Sequence, residues 1–162
     1  EKALPEINYS KFKFTHPRPN DFRRVAENVS GIQLKWYLTD WTQTTNTIDY
    51  GIKGVFEEEE GVRVSLERIG LMPMPLDVLV SFAGGQQKVY YIPISLMRGE
   101  KENPYSVDWE VLKDWPWAFP EYSFLVKEEK EKIVSIVVDP SFFLADINRE
   151  NNVWGVRHEK EE

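Results

Sequence analysis

The spacing of apolar residues in this chain changes once, close to Thr45, and that change limits the folds open to it. Before Thr45 apolar residues recur every three or four positions, which is the helical period and predicts two short amphipathic helices. Their apolar faces are Phe22, Val25, Ala26 and Val29 in the first helix, and Leu34, Tyr37, Leu38 and Trp41 in the second. Two such helices cannot bury themselves alone, so we expect them to pack on further structure.

After Thr45 apolar residues alternate with polar ones, which is the period of a β-strand. Alternating or β-branched runs predict strands that cover residues 62–66, 76–82, 88–94, 122–126, 133–138 and 152–156. Gly84 and Gly85 favour a hairpin turn, and Pro93 favours a strand end or an edge. About seven short strands joined by turns predict an immunoglobulin-like antiparallel β-sandwich. The expected fold class is therefore mainly β, with two short α-helices before the sandwich.

The same change of period predicts the domain organisation. We expect residues 1–44 to form a helical part, residues 45–158 to be the sandwich, and residues 159–162 to be a charged tail. The first 14 residues are predicted to be irregular, because two prolines oppose helix before Asn20. Asn20 itself is a suitable N-cap for the first helix.

The charge of the chain is acidic and unevenly distributed. The formal net charge is −7, and residues 1–44 hold seven Lys or Arg against five Asp or Glu, which leaves −9 on the β part. That sign opposes binding to nucleic-acid phosphates and to anionic membrane surfaces, so we expect no nucleic-acid partner and no membrane insertion. No apolar run approaches the roughly 20 residues of a membrane span. The chain has no Cys, which excludes disulfides and thiolate zinc sites.

Two acidic motifs raise the question of a metal site. The run Glu57 to Glu60 is interpreted as an exposed hairpin tip, because metal cages need convergent rather than consecutive ligands. Asp146, Asn148 and Asn151 follow the spacing that opens an EF-hand loop. That loop needs Gly and Glu at the positions occupied here by Asn151 and Arg157. We therefore predict that these Asp and Asn side chains close turns on their own backbone.

Several short motifs occur along the chain in an order that resembles a known family. The helical part contains His16-Pro17-x-Pro19-x-Asp21-Phe22, then Ser30-Gly31-x-x-Leu34-x-Trp36-Tyr37, then Trp41. The β part contains Met72-Pro73, Tyr91-Ile92-Pro93-Ile94, Met97-Arg98-Gly99-Glu100, Trp115-Pro116-Trp117, Asp139-Pro140 and Asp146-x-Asn148-x-x-Asn151-Asn152. Together they resemble the end of the catalytic domain and the following β-sandwich of bacterial gluzincin metallopeptidases of the aminopeptidase N type.

The resemblance implies a non-catalytic C-terminal region of a zinc aminopeptidase-like enzyme, in which residues 1–44 would be the end of the helical, thermolysin-like catalytic domain. In that family a His-Glu-x-x-His helix and a later Glu hold the zinc, and this chain contains neither. We therefore expect no catalytic residue, metal ligand or cofactor here, and zinc in the parent enzyme. The expected partner is the catalytic domain of the same polypeptide, and self-association of this region is a second expectation. The interdomain packing residues would be Phe22, Val25, Val29, Leu34, Tyr37, Leu38 and Trp41. The expected localisation is the bacterial cell envelope, periplasmic or exported, with any export signal upstream of Glu1.

A different interpretation treats the sandwich as an independent cell-envelope module that binds a glycan or a protein. Its aromatic surface would be formed by Trp109, Trp115, Trp117 and Tyr122, since aromatic rings stack on sugars and on proline. The same residues also suit packing in a core or an interface. Exposed, pre-ordered aromatics would favour the module, whereas a concentration of exposed apolar surface on the helices before Thr45 would favour the enzyme region. The only histidines, His16 and His158, are interpreted as structural or exposed.

Overall fold

The structure is a computed structural model that describes residues 3–155, so the predictions for His158 and for the tail at 159–162 lie outside the described residues. The chain divides into two compact units. One contains the residues up to 45 together with 96–101, and the other contains 46–95 together with the residues from 102 onward. No sequence pattern indicates that residues 96–101 belong with the helices.

The first unit has three helices within the described residues: α1 (Ala3–Phe12), α2 (Pro19–Ser30) and α3 (Lys35–Gln43). The prediction of an irregular stretch before the first of two helices is therefore wrong, because α1 occupies it. The apolar residues of α1 do not recur along one face, so the periodicity could not indicate a helix there.

The start of α2 also differs from the prediction, whereas its end agrees. Pro19 is the first helical residue and Arg18 is the N-cap, so Asn20 lies inside the helix. Proline is well tolerated at this position, because the N–H that it lacks would have no helical partner there. The Asp21 carboxylate accepts a hydrogen bond from the Arg18 N–H at 2.9 Å. Gly31 ends the helix in a left-handed conformation with φ 70°, and its N–H donates to the Glu27 carbonyl.

The second unit is a β-sandwich of two sheets, which confirms the predicted fold class as mainly β. One sheet has the strand order β1-β2-β6 and the other has the order β5-β4-β3-β7-β8. The strands are β1 (Tyr50–Glu58), β2 (Gly61–Arg68), β3 (Leu76–Phe82), β4 (Gln87–Ile92), β5 (Asp108–Val111), β6 (Glu121–Val126), β7 (Ile133–Val138) and β8 (Val153–Gly155).

One strand pair departs from the antiparallel prediction. β5 runs parallel to β4, with Lys88 opposite Asp108 and Tyr91 opposite Val111. The other strand pairs of the described residues are antiparallel. Residues 93–107 return the chain to the level of Lys88 before β5 begins, and a parallel pair requires a long connection of this kind.

The core lies between the two sheets and follows the alternation in the sequence. In β2, Val62, Val64 and Leu66 are buried, while the residues between them are partly accessible. The facing sheet contributes buried aliphatic and aromatic side chains, which include Leu76, Val78, Val80, Tyr90, Ile92 and Ile136. Burying each large apolar side chain contributes about 1.5–3 kcal/mol, so this core is the main source of the sandwich's stability.

Candidate interaction surfaces

The apolar face predicted for the first helix is covered only in part. In α2, Val25 and Ala26 are buried, whereas Phe22 and Val29 are each 44% exposed. The four residues have the spacing of one helical face. Phe22 and Val29 therefore continue this face on either side of the buried Val25 and Ala26. The face therefore has apolar area left for a partner.

The helix α3 has even less covered surface, since none of its residues is buried. Tyr37 and Leu38 are half-buried, Leu34 is the N-cap, and Trp41 is 48% exposed. The Tyr37 ring lies 6.0 Å from the Trp41 ring and 5.7 Å from the Trp36 ring. A helix of nine residues is marginal in water without packing, so α3 is a second place where a partner would add stability.

Trp115 belongs to the core of the sandwich, in agreement with the packing interpretation of the aromatic segment. It is only 2% exposed, although the residues on either side of it belong to no helix or strand. Its ring stacks on Tyr122 at 5.3 Å and meets the edge of Tyr50 at 5.6 Å. Its indole N–H donates to the Phe119 carbonyl at 2.8 Å. Trp115 therefore offers no free ring face to a ligand.

Trp109 and Tyr122 are half-buried and also take part in internal packing. Trp109 stacks on Tyr91 with ring centroids 5.1 Å apart, and the Tyr105 ring is a further neighbour at 6.0 Å. The Tyr122 hydroxyl donates to the Lys113 carbonyl at 2.7 Å, and burial raises the pKa of Tyr122 to about 12. Both residues were predicted to form the aromatic surface, and both also make contacts within the fold.

Trp117 is the one member of the predicted aromatic set that is largely accessible, at 53% exposure. Phe119, which the sequence interpretation omitted, is also exposed and lies in the same loop. A turn closes between them, with the Phe119 N–H donating to the Pro116 carbonyl at 2.9 Å. The Arg68 guanidinium donates to the Trp117 carbonyl at 2.8 Å and to the Leu71 carbonyl at 3.0 Å. Internal hydrogen bonds therefore fix the backbone of the loop that carries the two exposed rings.

Exposed apolar side chains of the sandwich are concentrated at one end. The large apolar residues exposed in this unit are Phe56, Ile69, Leu71, Val111, Trp117, Phe119, Phe142, Phe143 and Ile147. All except Phe56 lie where β2, β5 and β7 end, or in the segments that follow these strands. The strand pairing places those strand ends at the same end of the sandwich. We call this surface, formed by residues 69–75, 111–120 and 139–150, the apolar end.

Hydrogen bonds to a buried carboxylate fix the loop after β7. Asp139 is buried, and its carboxylate accepts hydrogen bonds from the Phe143 N–H at 3.0 Å and the Leu144 N–H at 2.9 Å. Arg149 donates to the same carboxylate at 3.2 Å, and its guanidinium lies 4.7 Å from the Phe142 ring centroid. Asp139 and Phe142 have φ values of 51° and 57°, a region that L-residues rarely adopt. The surrounding contacts therefore offset the local backbone strain. In this loop conformation the Phe143 side chain is 87% exposed.

The opposite end of the sandwich is charged, and we call it the acidic end. It contains the turn between β1 and β2, with the run Glu57 to Glu60, and the segment 127–132 between β6 and β7. The four glutamates are exposed, as predicted for a hairpin tip. The Glu58 carboxylate pairs with Arg63, which lowers the pKa of Glu58. The hairpin interpretation of this run is confirmed.

The Asp and Asn motif near the end of the chain closes turns, as predicted. The buried Asp146 carboxylate accepts from the Asn148 N–H at 2.9 Å, the Tyr50 N–H at 3.1 Å and the Asn152 amide at 3.2 Å. Asn151 donates to Asp49 at 3.1 Å. The motif therefore supplies hydrogen-bond partners to the backbone and ties β1 to the segment that precedes β8.

The possible metal ligands of the described residues are scattered. Within residues 3–155, no three His, Cys, Asp or Glu side chains lie close enough together to hold a metal ion. His16 is exposed in the irregular segment before α2. No helix in this part of the chain is long and apolar enough to cross a membrane.

Sequence reasoning missed most of the apolar end. Leu71, Phe119, Phe142 and Phe143 lie in loops, where apolar residues follow no period and their exposure depends on the surrounding fold. The available signal was the position of Leu71 and Phe119 next to Gly70 and Pro120, where the chain cannot continue a strand. Comparisons with protein-family models, with curated proteins and with solved structures found no match for this chain.

Proposed function

We propose that this chain is the non-catalytic C-terminal structural region of a zinc-dependent, aminopeptidase-like metallopeptidase. In this role the sandwich supports the catalytic domain of the same polypeptide, and residues of that domain hold the zinc. The order of short motifs along the chain and the β-sandwich that follows the helices support the proposal. A bacterial cell-envelope location, periplasmic or exported, belongs to the same proposal.

The observation that carries this proposal is the uncovered apolar surface of α2 and α3. Exposed apolar side chains do not concentrate on the helices, since the sandwich has more of them. Phe22, Val29 and Trp41 are each close to half exposed, and α3 has no buried residue. Covering the exposed half of such a side chain contributes about 1 kcal/mol, so these three residues together offer about 3 kcal/mol to a partner. A catalytic domain packed on this surface would supply that stabilisation.

The first test is the coding sequence upstream of Glu1. The proposal requires a His-Glu-x-x-His segment there, followed by a Glu about eighteen residues later, since these residues would form the zinc site. An upstream sequence with a different set of motifs would overturn the peptidase part of the proposal.

The second test uses the longer polypeptide and separates packing from chemistry. We expect Phe22→Ser and Trp41→Ser to lower the temperature of thermal inactivation while leaving KM unchanged, because both residues are placed in packing rather than in substrate binding. Phe56→Ser is the matched control, since Phe56 is 55% exposed and lies on β1 of the sandwich. Equal effects of all three substitutions would contradict the proposed role of the helical surface.

The binding-module function remains a second candidate, because Trp117 and Phe119 are exposed on an ordered loop. An aromatic ring held in this way can stack on a sugar face with little entropy cost. Titration of the chain with an N-acetylhexosamine oligosaccharide should then quench tryptophan fluorescence, and Trp117→Ala should remove the quench. Quenching that survives this substitution, or a titration without any quench, would reject this candidate.

A further inference from the structure

The strand β6 forms one edge of the three-stranded sheet of the sandwich. We propose that this edge is a docking site, to which an extended segment of a partner protein, rich in Lys or Arg, adds as an antiparallel strand. The proposal uses only the sandwich unit, so it does not depend on the peptidase proposal.

The pairing of β6 with β2 determines where the backbone groups of β6 point. The Arg68 N–H donates to the Pro120 carbonyl at 2.7 Å, and these residues continue the register in which Leu66 lies opposite Tyr122. In an antiparallel pair only every second residue bonds across the ladder, so the intervening N–H and C=O groups of β6 point outward. The residues that carry these outward groups are Glu121, Ser123 and Leu125. Such a row of groups forms hydrogen bonds with another extended chain.

The other edge strands of the described residues have features that limit strand addition, whereas β6 is long and regular. β1 is interrupted at Lys53 by a register shift, β5 has four residues, and β8 has three. Lysine, irregular register and short length are common protections of an exposed edge. β6 has six residues in unbroken register with β2, and its sequence contains neither Lys nor Pro. It is therefore the edge best suited to accept a strand.

The position of the facing sheet favours a single added strand over a second copy of the sandwich. The Phe124 ring lies 5.0 Å from the Tyr90 ring, so β6 lies over β4. β5 pairs with the outer side of β4 and therefore extends beyond β6. A cleft of about 550 Å³ lies beside the end of β6, and Asp108 and Lys127 are among its lining residues. An added strand would lie over β5, whereas a second copy that approached through its own β6 would bring its own β5 into the same space.

The charge around the end of β6 selects a basic segment. On the outer face of the sheet, the exposed Glu59 and Glu60 line a depression together with Leu125. On the inner side, the exposed Asp108 lines the cleft. These three carboxylates have no ion-pair partner among the described residues, and Lys127 offsets only one of the three charges. Lys or Arg side chains on either face of an added strand would therefore meet an opposite charge.

The test compares the binding of two capped octapeptides, in which Val alternates with Lys in one and with Glu in the other. We expect the lysine peptide to bind and the glutamate peptide not to bind. Ser123→Pro should weaken binding about tenfold, because it removes one outward N–H and leaves a peptide carbonyl without its donor. Ser123→Ala is the matched control and should leave the affinity unchanged, since it keeps that N–H. Near-ultraviolet circular dichroism would verify that both variants are folded.

Amide hydrogen exchange of the unsubstituted chain gives a second measurement, which does not depend on a folded variant. The lysine peptide should slow exchange at the Ser123 and Leu125 N–H groups, whereas the Phe124 N–H, which bonds to β2, should be slow with or without it. A lysine peptide that fails to protect Ser123 and Leu125 would overturn the proposal. Equal binding to Ser123→Pro and to the unsubstituted chain would also overturn it, since charge alone would then attract the peptide. Equal binding of the two peptides would show that the edge does not select a basic segment, against the proposal.

Discussion

The burial of Trp115 beside the exposure of Trp117 allows a matched comparison within one loop. Trp115→Ala removes a side chain that is packed against Tyr50 and Tyr122 and is 2% exposed. A buried Trp replaced by Ala costs about 3–5 kcal/mol, which includes the cavity that remains. Trp117→Ala removes a ring that is 53% exposed, so it should cost only about 1 kcal/mol. The two variants should therefore differ by about 2–4 kcal/mol.

The assay is urea unfolding followed by near-ultraviolet circular dichroism. With a slope of about 2 kcal/mol per molar urea, the expected difference corresponds to a gap of about 1–2 M between the two unfolding midpoints. Trp115→Phe should fall between them, since it keeps a ring in the core but leaves the Phe119 carbonyl without the indole N–H. Equal midpoints for Trp115→Ala and Trp117→Ala would refute the assignment of Trp115 to the core.

Three further predictions concern the same unit. Asp146→Ala should lower the free energy of unfolding by about 2–4 kcal/mol, because it leaves the buried Tyr50 N–H without its acceptor. A much smaller loss in urea unfolding would contradict this prediction and indicate that water replaces the carboxylate. Gly61→Ala should destabilise the hairpin, since φ is 143° and an added Cβ would lie 2.2 Å from the Val126 carbonyl oxygen; an unchanged melting temperature would contradict this. Burial raises the pKa of Tyr50 and of Tyr122 to about 12, so only the unfolded chain ionises these groups above about pH 10. Stability should therefore be full below about pH 10 and fall as the pH rises towards 12, and equal urea midpoints at about pH 8 and about pH 11 would contradict that sign.

The elements that could be predicted from the sequence are those in which one face is buried along a regular period. β2 is an example, because Val62, Val64 and Leu66 alternate with polar residues and are all buried. The end of α2 was predictable for a local reason, since Gly31 readily adopts the left-handed conformation that stops a helix. α1 was missed because its apolar residues form no regular face.

The candidate surfaces were less predictable, because exposure depends on contacts between residues far apart in the chain. Trp115 and Trp117 are two positions apart and chemically identical, yet only the first is buried. The difference comes from Tyr50 and Tyr122, which belong to other strands and enclose one ring. Similarly, the hydrogen bond from Arg68 to the Trp117 carbonyl joins the end of β2 to the loop that follows β5.

The sequence by itself therefore determined the class of the fold, the change from helices to strands near Thr45 and the acidic character of the sandwich, because periodicity and charge are local properties of the chain. Only the tertiary structure decided that β5 pairs in parallel, that residues 96–101 join the helical unit, and that the exposed apolar residues gather at one end. Those features depend on which strand ends are brought together in space. No local pattern records that information, since loop residues have no period and the fold alone sets their neighbours.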